Sequence, residues 1–342
     1  MKTLLYPEYE RLEVTDRPAP EPARGEVRLR VAACGICGSE LEAFRNRSPR
    51  RVPPLIMGHE FCGVVESVAP DVEVWAPGQR VVSHSLVACG TCVRCARGDT
   101  HICAQRQIFG MHRPGAFAEM VCAPAKALVA WPGTLAPEAA STAEPLANGI
   151  HVVGLARRLS PTLVVVVGAG PLGLLAQQAF RKLTAADVVI VDRVPERLET
   201  AKRLGAKEVI HSGEEDVVAR ILGMTGGEGA DVVVDAAGAA WTKANSVRAT
   251  RAGGMTVWLG LHENTIPFDS FDVTLGERTI QGSYCASIEE LELAVDMLAR
   301  GRVDGSSWVK TFSLDDGVKA FERMLKPAGD DIKAVILPTA AR

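Results

Sequence analysis

The sequence predicts an α/β protein in two parts: a β-rich segment of short, irregular strands, and a doubly wound parallel sheet with helices between its strands. Three observations carry this. Up to about residue 150, short alternating stretches are cut by Pro and Gly turns. Beyond it, continuous apolar runs alternate with helical patterns. Between them "TLVVVVGAGPLG" joins a strand to a helix through a glycine-rich turn.

In the first part, "EVRLRVAACG" sets Val27, Leu29 and Val31 against Arg28 and Arg30, the alternation of a half-buried strand. "EFCGVVESVAP" and "QRVVSHS" follow as further strands. In the second part, "TLVVVVGAG" is apolar on both faces, as a central parallel strand requires. "PLGLLAQQAFRKL" starts at Pro171 and places Leu172, Leu175, Ala179 and Leu183 on one stripe. "DVVIVD", "EVIHS", "ADVVVDAAG", "GMTVWLGL" and "TIQGSY" read as the remaining strands, with "PERLETAKRLG" a helix. "SIEELELAVDMLARGRV" is a helix before a return to mixed structure. The boundaries expected are 1–150, with a cysteine lobe at about 86–106, then 151–287, then 288–342.

The chain has 342 residues, too many for one ordinary core. It is 47% apolar and 23% charged, with a formal net charge of −3, so bulk electrostatics point to neither nucleic acid nor membrane. "MKTLLYPEYERLEV" meets charge too early for an export signal, which predicts a cytoplasmic protein with reduced thiols.

Gly168, Gly170 and Gly173 have the G-x-G-x-x-G spacing, between a strand and a helix as that motif demands. They predict a dinucleotide site, with Pro171 and Leu172 opening the helix that faces the phosphates. Asp192 ends the next strand, where a carboxylate receives ribose hydroxyls and repels a 2′-phosphate; this favours NAD over NADP. Arg193 adjoins it and Arg197 lies one turn on.

Cys89, Cys92, Cys95 and Cys103 are spaced C-x₂-C-x₂-C-x₇-C. Four thiolates on one tetrahedral zinc leave no open position, so the cluster predicts a structural ion. A nucleic-acid zinc ribbon would show separated pairs and basic surroundings; only Arg94 and Arg97 lie nearby. Cys37, His59, Glu60 and Glu144 are the ligand types of an open zinc site, although spacing does not bring them together. Cys34, Cys62, Cys122 and Cys285 read as small buried hydrophobes.

"GICGSE", "GHEFCGVV", the four-cysteine lobe, "AEPL", "GAGPLG" and "VDRVPERL" together resemble the zinc-dependent medium-chain dehydrogenases, over essentially the full length. The likeness is to the sorbitol, threonine and polyol-phosphate branch. It implies a GroES-like catalytic domain formed by both chain ends and a Rossmann domain between them. It further implies two zinc ions per chain. The catalytic one is held by Cys37, His59 and a glutamate, Glu60 or Glu144; the structural one is held by the four cysteines. Classical alcohol dehydrogenases have cysteine where this chain has Glu144. Ser39 matches the family's proton-relay hydroxyl, and Glu40 stands where a residue braces His59. Many relatives place a histidine five residues after the zinc cysteine; this chain has Glu42, the candidate to relay the proton in its stead.

The implied reaction is hydride transfer from a secondary alcohol (a polyol, a sugar alcohol or its phosphate) to NAD, giving a ketone. Threonine or a general secondary alcohol is the alternative substrate. A zinc-free quinone or enoyl reductase is disfavoured by the Cys37, His59 and Glu60 set. "FRNRSPRR" (Arg45, Arg47, Arg50, Arg51) is either a solvated loop or an anion site for a phosphorylated substrate. A homo-oligomer, dimer or tetramer, pairing near "TIQGSY", is the expected assembly.

Overall fold

The alternation in "EVRLRVAACG" organises the first sheet. In the computed structural model, which describes residues 1–338, Val27, Leu29 and Val31 are fully buried on the strand Glu26–Gly35. The chain forms two compact units: Met1–Ala147 together with the residues from Cys285 onward, and Asn148–Tyr284.

In the first unit, the strand Glu26–Gly35 runs antiparallel to Glu60–Val68, with Gly35 opposite Glu60. Its other edge pairs with Met120–Pro124 near the start and with Lys333–Leu337 at the end, where Val335 lies opposite Gly35. Arg80–Ser83 and Leu128–Ala130 extend the sheet on one side, and Val309–Ser313 on the other. This register brings Glu60, Gly35 and the Lys333 strand to one end of the sheet. Tyr6, Phe44 and Phe321 pack as neighbouring rings over this core, and Phe61 meets Phe109 edge to face at 5.0 Å.

The second unit is a six-stranded, all-parallel sheet. Its order is Glu208–His211, Asp187–Asp192, Leu163–Val167, Ala230–Asp235, Thr250–Trp258, Thr279–Gly282. Numbered along the chain this is 3-2-1-4-5-6, the doubly wound arrangement, and its order reverses at Leu163–Val167, the strand that enters the glycine turn. Val164, Val165 and Val166 are fully buried, which explains their unbroken apolar run. At the start of this strand Asp231 accepts from the backbone N–H groups of Thr162 and Leu163 and pairs with Arg251 at 2.7 Å. Burial would raise the Asp231 carboxyl, but Arg251 and those N–H groups outweigh it and bring it down to about 2.

Among the described residues, no helix is long and apolar enough to cross a membrane.

Candidate functional site

Strand Glu26–Gly35 delivers the chain to the helix Gly38–Arg45, whose N-cap is Cys37. The helix begins with a capping box: Cys37 Sγ accepts from the Ser39 N–H, and the Glu40 carboxylate accepts from the Cys37 N–H at 3.0 Å. The same carboxylate does more. Its Oε1 accepts from the Gly58 N–H at 2.8 Å and lies 2.9 Å from His59 Nδ1. Glu40 therefore ties the Cys37 turn to the Gly58–His59 turn and braces His59, as the sequence predicts. With Nδ1 held by a carboxylate, the His59 Nε2 lone pair is left for a metal. Burial opposes the charge on Glu40, but His59, Arg51 and the Cys37 N–H overcome it and hold the carboxyl near 2. Burial likewise opposes a charge on His59, yet Glu40 and then Cys37 hold it well above the ordinary histidine value.

Cys37, His59 and Glu60 each present a ligand atom, all within 4.8 Å of one another. Thiol, imidazole and carboxylate at that separation fit zinc with an open position. Glu60 is also the partner of Lys333. Both side chains are almost wholly buried, and Lys333 Nζ donates to Glu60 Oε2. Burial would lower the Lys333 ammonium, but Glu60 and Cys37 outweigh it and raise it. Gly35 makes room for this pair: a Cβ there would come within 2.4 Å of Glu60 Oε2. Glu144 is not brought into the cluster. It sits in the first turn of the helix Ala143–Ala156, buried, and its charge adds to burial in pushing the Cys285 thiol up to about 12.

Ser39 Oγ lies 3.4 Å from Cys37 Sγ, next to the cluster. Glu42 is on the same helix and accepts from the Asn46 side chain. Three arginines of the run have separate partners. Arg45 donates to the Leu325 carbonyl, Arg47 pairs with Glu10, and Arg51 turns inward and is buried.

The four lobe cysteines converge. Neighbouring Sγ atoms are 3.5 Å apart for Cys89 and Cys103, 3.6 Å for Cys92 and Cys95, 3.8 Å for Cys92 and Cys103, and 3.9 Å for Cys89 and Cys95. Zinc–sulfur bonds of about 2.3 Å in a tetrahedron place sulfurs about 3.8 Å apart, so the lobe fits the ion. These spacings are far beyond a disulfide. The N–H groups of Thr91 and Cys92 point at Cys89 Sγ and bring that thiol down to about 6, towards the thiolate a metal needs. Of the other cysteines, Cys34, Cys62 and Cys285 are buried as read, while Cys122 is only partly so.

In the second unit, Gly168 turns the chain at φ +104°, and Gly170 caps the helix Pro171–Leu183. Gly173 packs directly on the Gly168 carbonyl. Asp192 Oδ2 accepts from the Ala169 N–H at 2.6 Å, so the acid at the end of the second strand is fastened to the glycine turn. Its Oδ1 accepts from the N–H groups of Arg193 and Val194. Arg193 is exposed and Arg197 partly buried. The arrangement fits a dinucleotide: free N–H groups at a helix N-terminus for phosphates, and a carboxylate for ribose.

Two side chains at the first site were not legible as functional. Lys333 lies 273 positions from Glu60, with no local pattern to mark it. Arg51 looked like one more loop charge.

Residues 23–133 match the alcohol dehydrogenase GroES-like domain, and residues 171–300 match the zinc-binding dehydrogenase family. The chain is 36% identical over 260 residues to an L-threonine 3-dehydrogenase from Pyrococcus horikoshii, spanning 75% of this chain and 74% of that one. Among solved structures it is similar to a zinc-binding dehydrogenase from Sinorhizobium meliloti bound to NADP, with a TM-score of 0.91 and 31% identity over 98% of this chain and 99% of that one. It is also similar to galactitol-1-phosphate dehydrogenase from Escherichia coli, with a TM-score of 0.91 and 26% identity over 99% and 100% of the two chains.

Proposed function

The chain belongs to the zinc-dependent medium-chain dehydrogenase family, and from that premise we propose that it oxidises a secondary alcohol of a polyol or sugar alcohol with NAD. The products are a ketone, NADH and a proton. The observation that carries the reading is the cluster of Cys37, His59 and Glu60, with His59 braced by Glu40.

Cys37, His59 and Glu60 would hold the catalytic zinc in this arrangement, with Glu144 the other glutamate the resemblance implies, and Cys89, Cys92, Cys95 and Cys103 would hold a structural one. Zinc supplies Lewis acidity to a hydroxyl group, and NAD supplies the hydride acceptor. The residues do the rest. Glu40 fixes the His59 ring and its tautomer. Lys333 holds the Glu60 carboxylate when it is not a ligand. Ser39 presents a hydroxyl for the substrate proton, and Glu42 is the next candidate to carry it to solvent. Gly168, Gly170, Pro171, Leu172 and Gly173 seat the pyrophosphate, and Asp192 receives the adenosine ribose with Arg193 and Arg197 beside it. The fastened Asp192 carboxylate supports NAD; the NADP in the Sinorhizobium meliloti relative makes the comparison worth measuring. Homo-oligomerisation is part of the same reading, since Thr279–Gly282 is an edge strand.

Threonine is the second reading, favoured by the Pyrococcus horikoshii relative. With Arg45, Arg47 and Arg51 committed to protein partners, that loop lends no support to a phosphorylated substrate. The test is cofactor reduction against free polyols, polyol phosphates, sugars, threonine and simple alcohols, each with NAD and NADP, in protein assayed for zinc. Turnover of one polyol class with NAD supports the proposal. Turnover of threonine alone selects the second reading, and activity only with NADP overturns the cofactor assignment.

A further inference from the structure

We infer that Arg51 is a positioning residue for Ser39: it holds the hydroxyl in one orientation and leaves one lone pair in a fixed direction for the reaction. The inference rests on the reading of Ser39 as the hydroxyl that serves the substrate.

Arg51 is 4% exposed, and among the described residues no other arginine is buried. Its guanidinium makes three hydrogen bonds, to two residues. Nε donates to the Gly110 carbonyl at 3.1 Å. Nη1 donates to the Ser39 carbonyl at 2.9 Å, and Nη2 to Ser39 Oγ at 3.1 Å. One guanidinium thus grips both the backbone and the side chain of Ser39. Its fork geometry suits two acceptors on one residue, which an ammonium could not reproduce.

A guanidinium only donates, and it does not lose its proton in proteins. One lone pair of Ser39 Oγ is therefore always occupied by Arg51. The hydroxyl hydrogen must point elsewhere, and here it faces Cys37 Sγ at 3.4 Å. One lone pair remains to accept. A free serine hydroxyl would sample three rotamers and any proton direction. Held this way, Ser39 meets a bound oxygen with an acceptor in a fixed direction, so less ordering is left for the transition state. The positive charge is balanced locally, since Arg51 is one of the groups that hold the Glu40 carboxyl low.

The test is a double-mutant cycle of Arg51→Met and Ser39→Ala, with Arg51→Lys as the conservative variant. kcat and KM are read separately, with zinc content and melting temperature for every protein. The dissociation constant for trifluoroethanol, which is not oxidised, is measured by calorimetry on the zinc- and NAD-loaded protein. Loss of a charge-assisted hydrogen bond predicts a fall in kcat of about 10- to 100-fold for Arg51→Met, with KM changing much less. Arg51→Lys should recover part of this. The double variant should be no slower than Ser39→Ala alone, because Arg51 acts through Ser39. Trifluoroethanol affinity should fall in Arg51→Met but not fall further in the double variant. Multiplying effects in the cycle, or a silent Arg51→Met, would overturn the inference. If Arg51→Met does not fold, Arg51→Lys with wild-type kcat and trifluoroethanol affinity does the same. A fully active Ser39→Ala would instead remove the role of Ser39 itself, and is a separate outcome.

Discussion

Replacing Gly173 with alanine asks for room that the glycine turn does not have. A Cβ at that position would lie 1.8 Å from the Gly168 carbonyl oxygen, whereas real Cβ contacts do not fall below 3.0 Å. The obstacle is backbone, so no change of rotamer relieves it. The helix Pro171–Leu183 must lift from the turn by more than an ångström, and it buries every side chain from Leu174 to Phe180. Overpacking of this kind costs about 1–3 kcal/mol, and a rigid acceptor puts Gly173→Ala at the upper end. For a unit of this size that lowers the melting temperature by about 6–12 °C. Gly170 provides the control. Its φ of −76° suits any residue, and a Cβ there has nothing within 4 Å. Gly170→Ala should melt with the parent protein yet bind NADH at least about tenfold more weakly, because its Cβ occupies the space a pyrophosphate enters. Circular dichroism melting and NADH fluorescence titration separate the two effects. A Gly173→Ala protein that melts and binds NADH like the parent would refute the packing argument. A Gly170→Ala protein that melts as low as Gly173→Ala would refute it too, and one that binds NADH normally would refute the cofactor assignment.

Three further outcomes follow from the same geometry. Lys333→Met leaves the buried Glu60 carboxylate without its cation and should destabilise the first unit by about 3–5 kcal/mol in urea unfolding of the metal-free protein; a change below about 1 kcal/mol would mean that Glu60 finds another partner. Asp231 has its folded pKa depressed to about 2, so its contribution to stability is present above the unfolded value near 4 and is lost as pH falls towards 2. Asp231→Asn should cost about 1–2 kcal/mol at pH 7, with the gap to the parent narrowing as the solution is acidified; a pH-independent gap would point to packing rather than charge. Cys92→Ser should remove the lobe's metal, so that zinc analysis of purified protein falls by one ion per chain; an unchanged zinc content would rule out the lobe as a metal site.

Much of the second unit was legible because its signals are local. An apolar run, a glycine turn and an acid at the end of the next strand all fall within about 30 residues, and the parallel sheet follows from their alternation. The four lobe cysteines were legible for the same reason. The first site was legible only in part. Cys37, His59 and Glu60 were named as ligand types, but their convergence depends on strand register between segments far apart in sequence. Lys333 completes the site from near the far end of the chain, and a single lysine in "DIKAVIL" carries no hint of it. The arginine run was left open between a solvated loop and an anion site. Four similar charges in seven positions do not say which of them turns inward; the backbone sends Arg47 outward to Glu10 and Arg51 inward to Ser39.

The strand Lys333–Leu337 has a consequence for how the molecule is made. A ribosome releases Cys37, His59 and Glu60 early, but the end of the strand that leads to Cys37 gains its second neighbour only when Val335 and Ile336 emerge. Until then Glu60 also has no Lys333. The intervening segment, Asn148–Tyr284, contains all six strands of its own sheet. A chain stalled before residue 333 would therefore lack both the strand that pairs with Cys34 and Gly35 and the cation that meets Glu60.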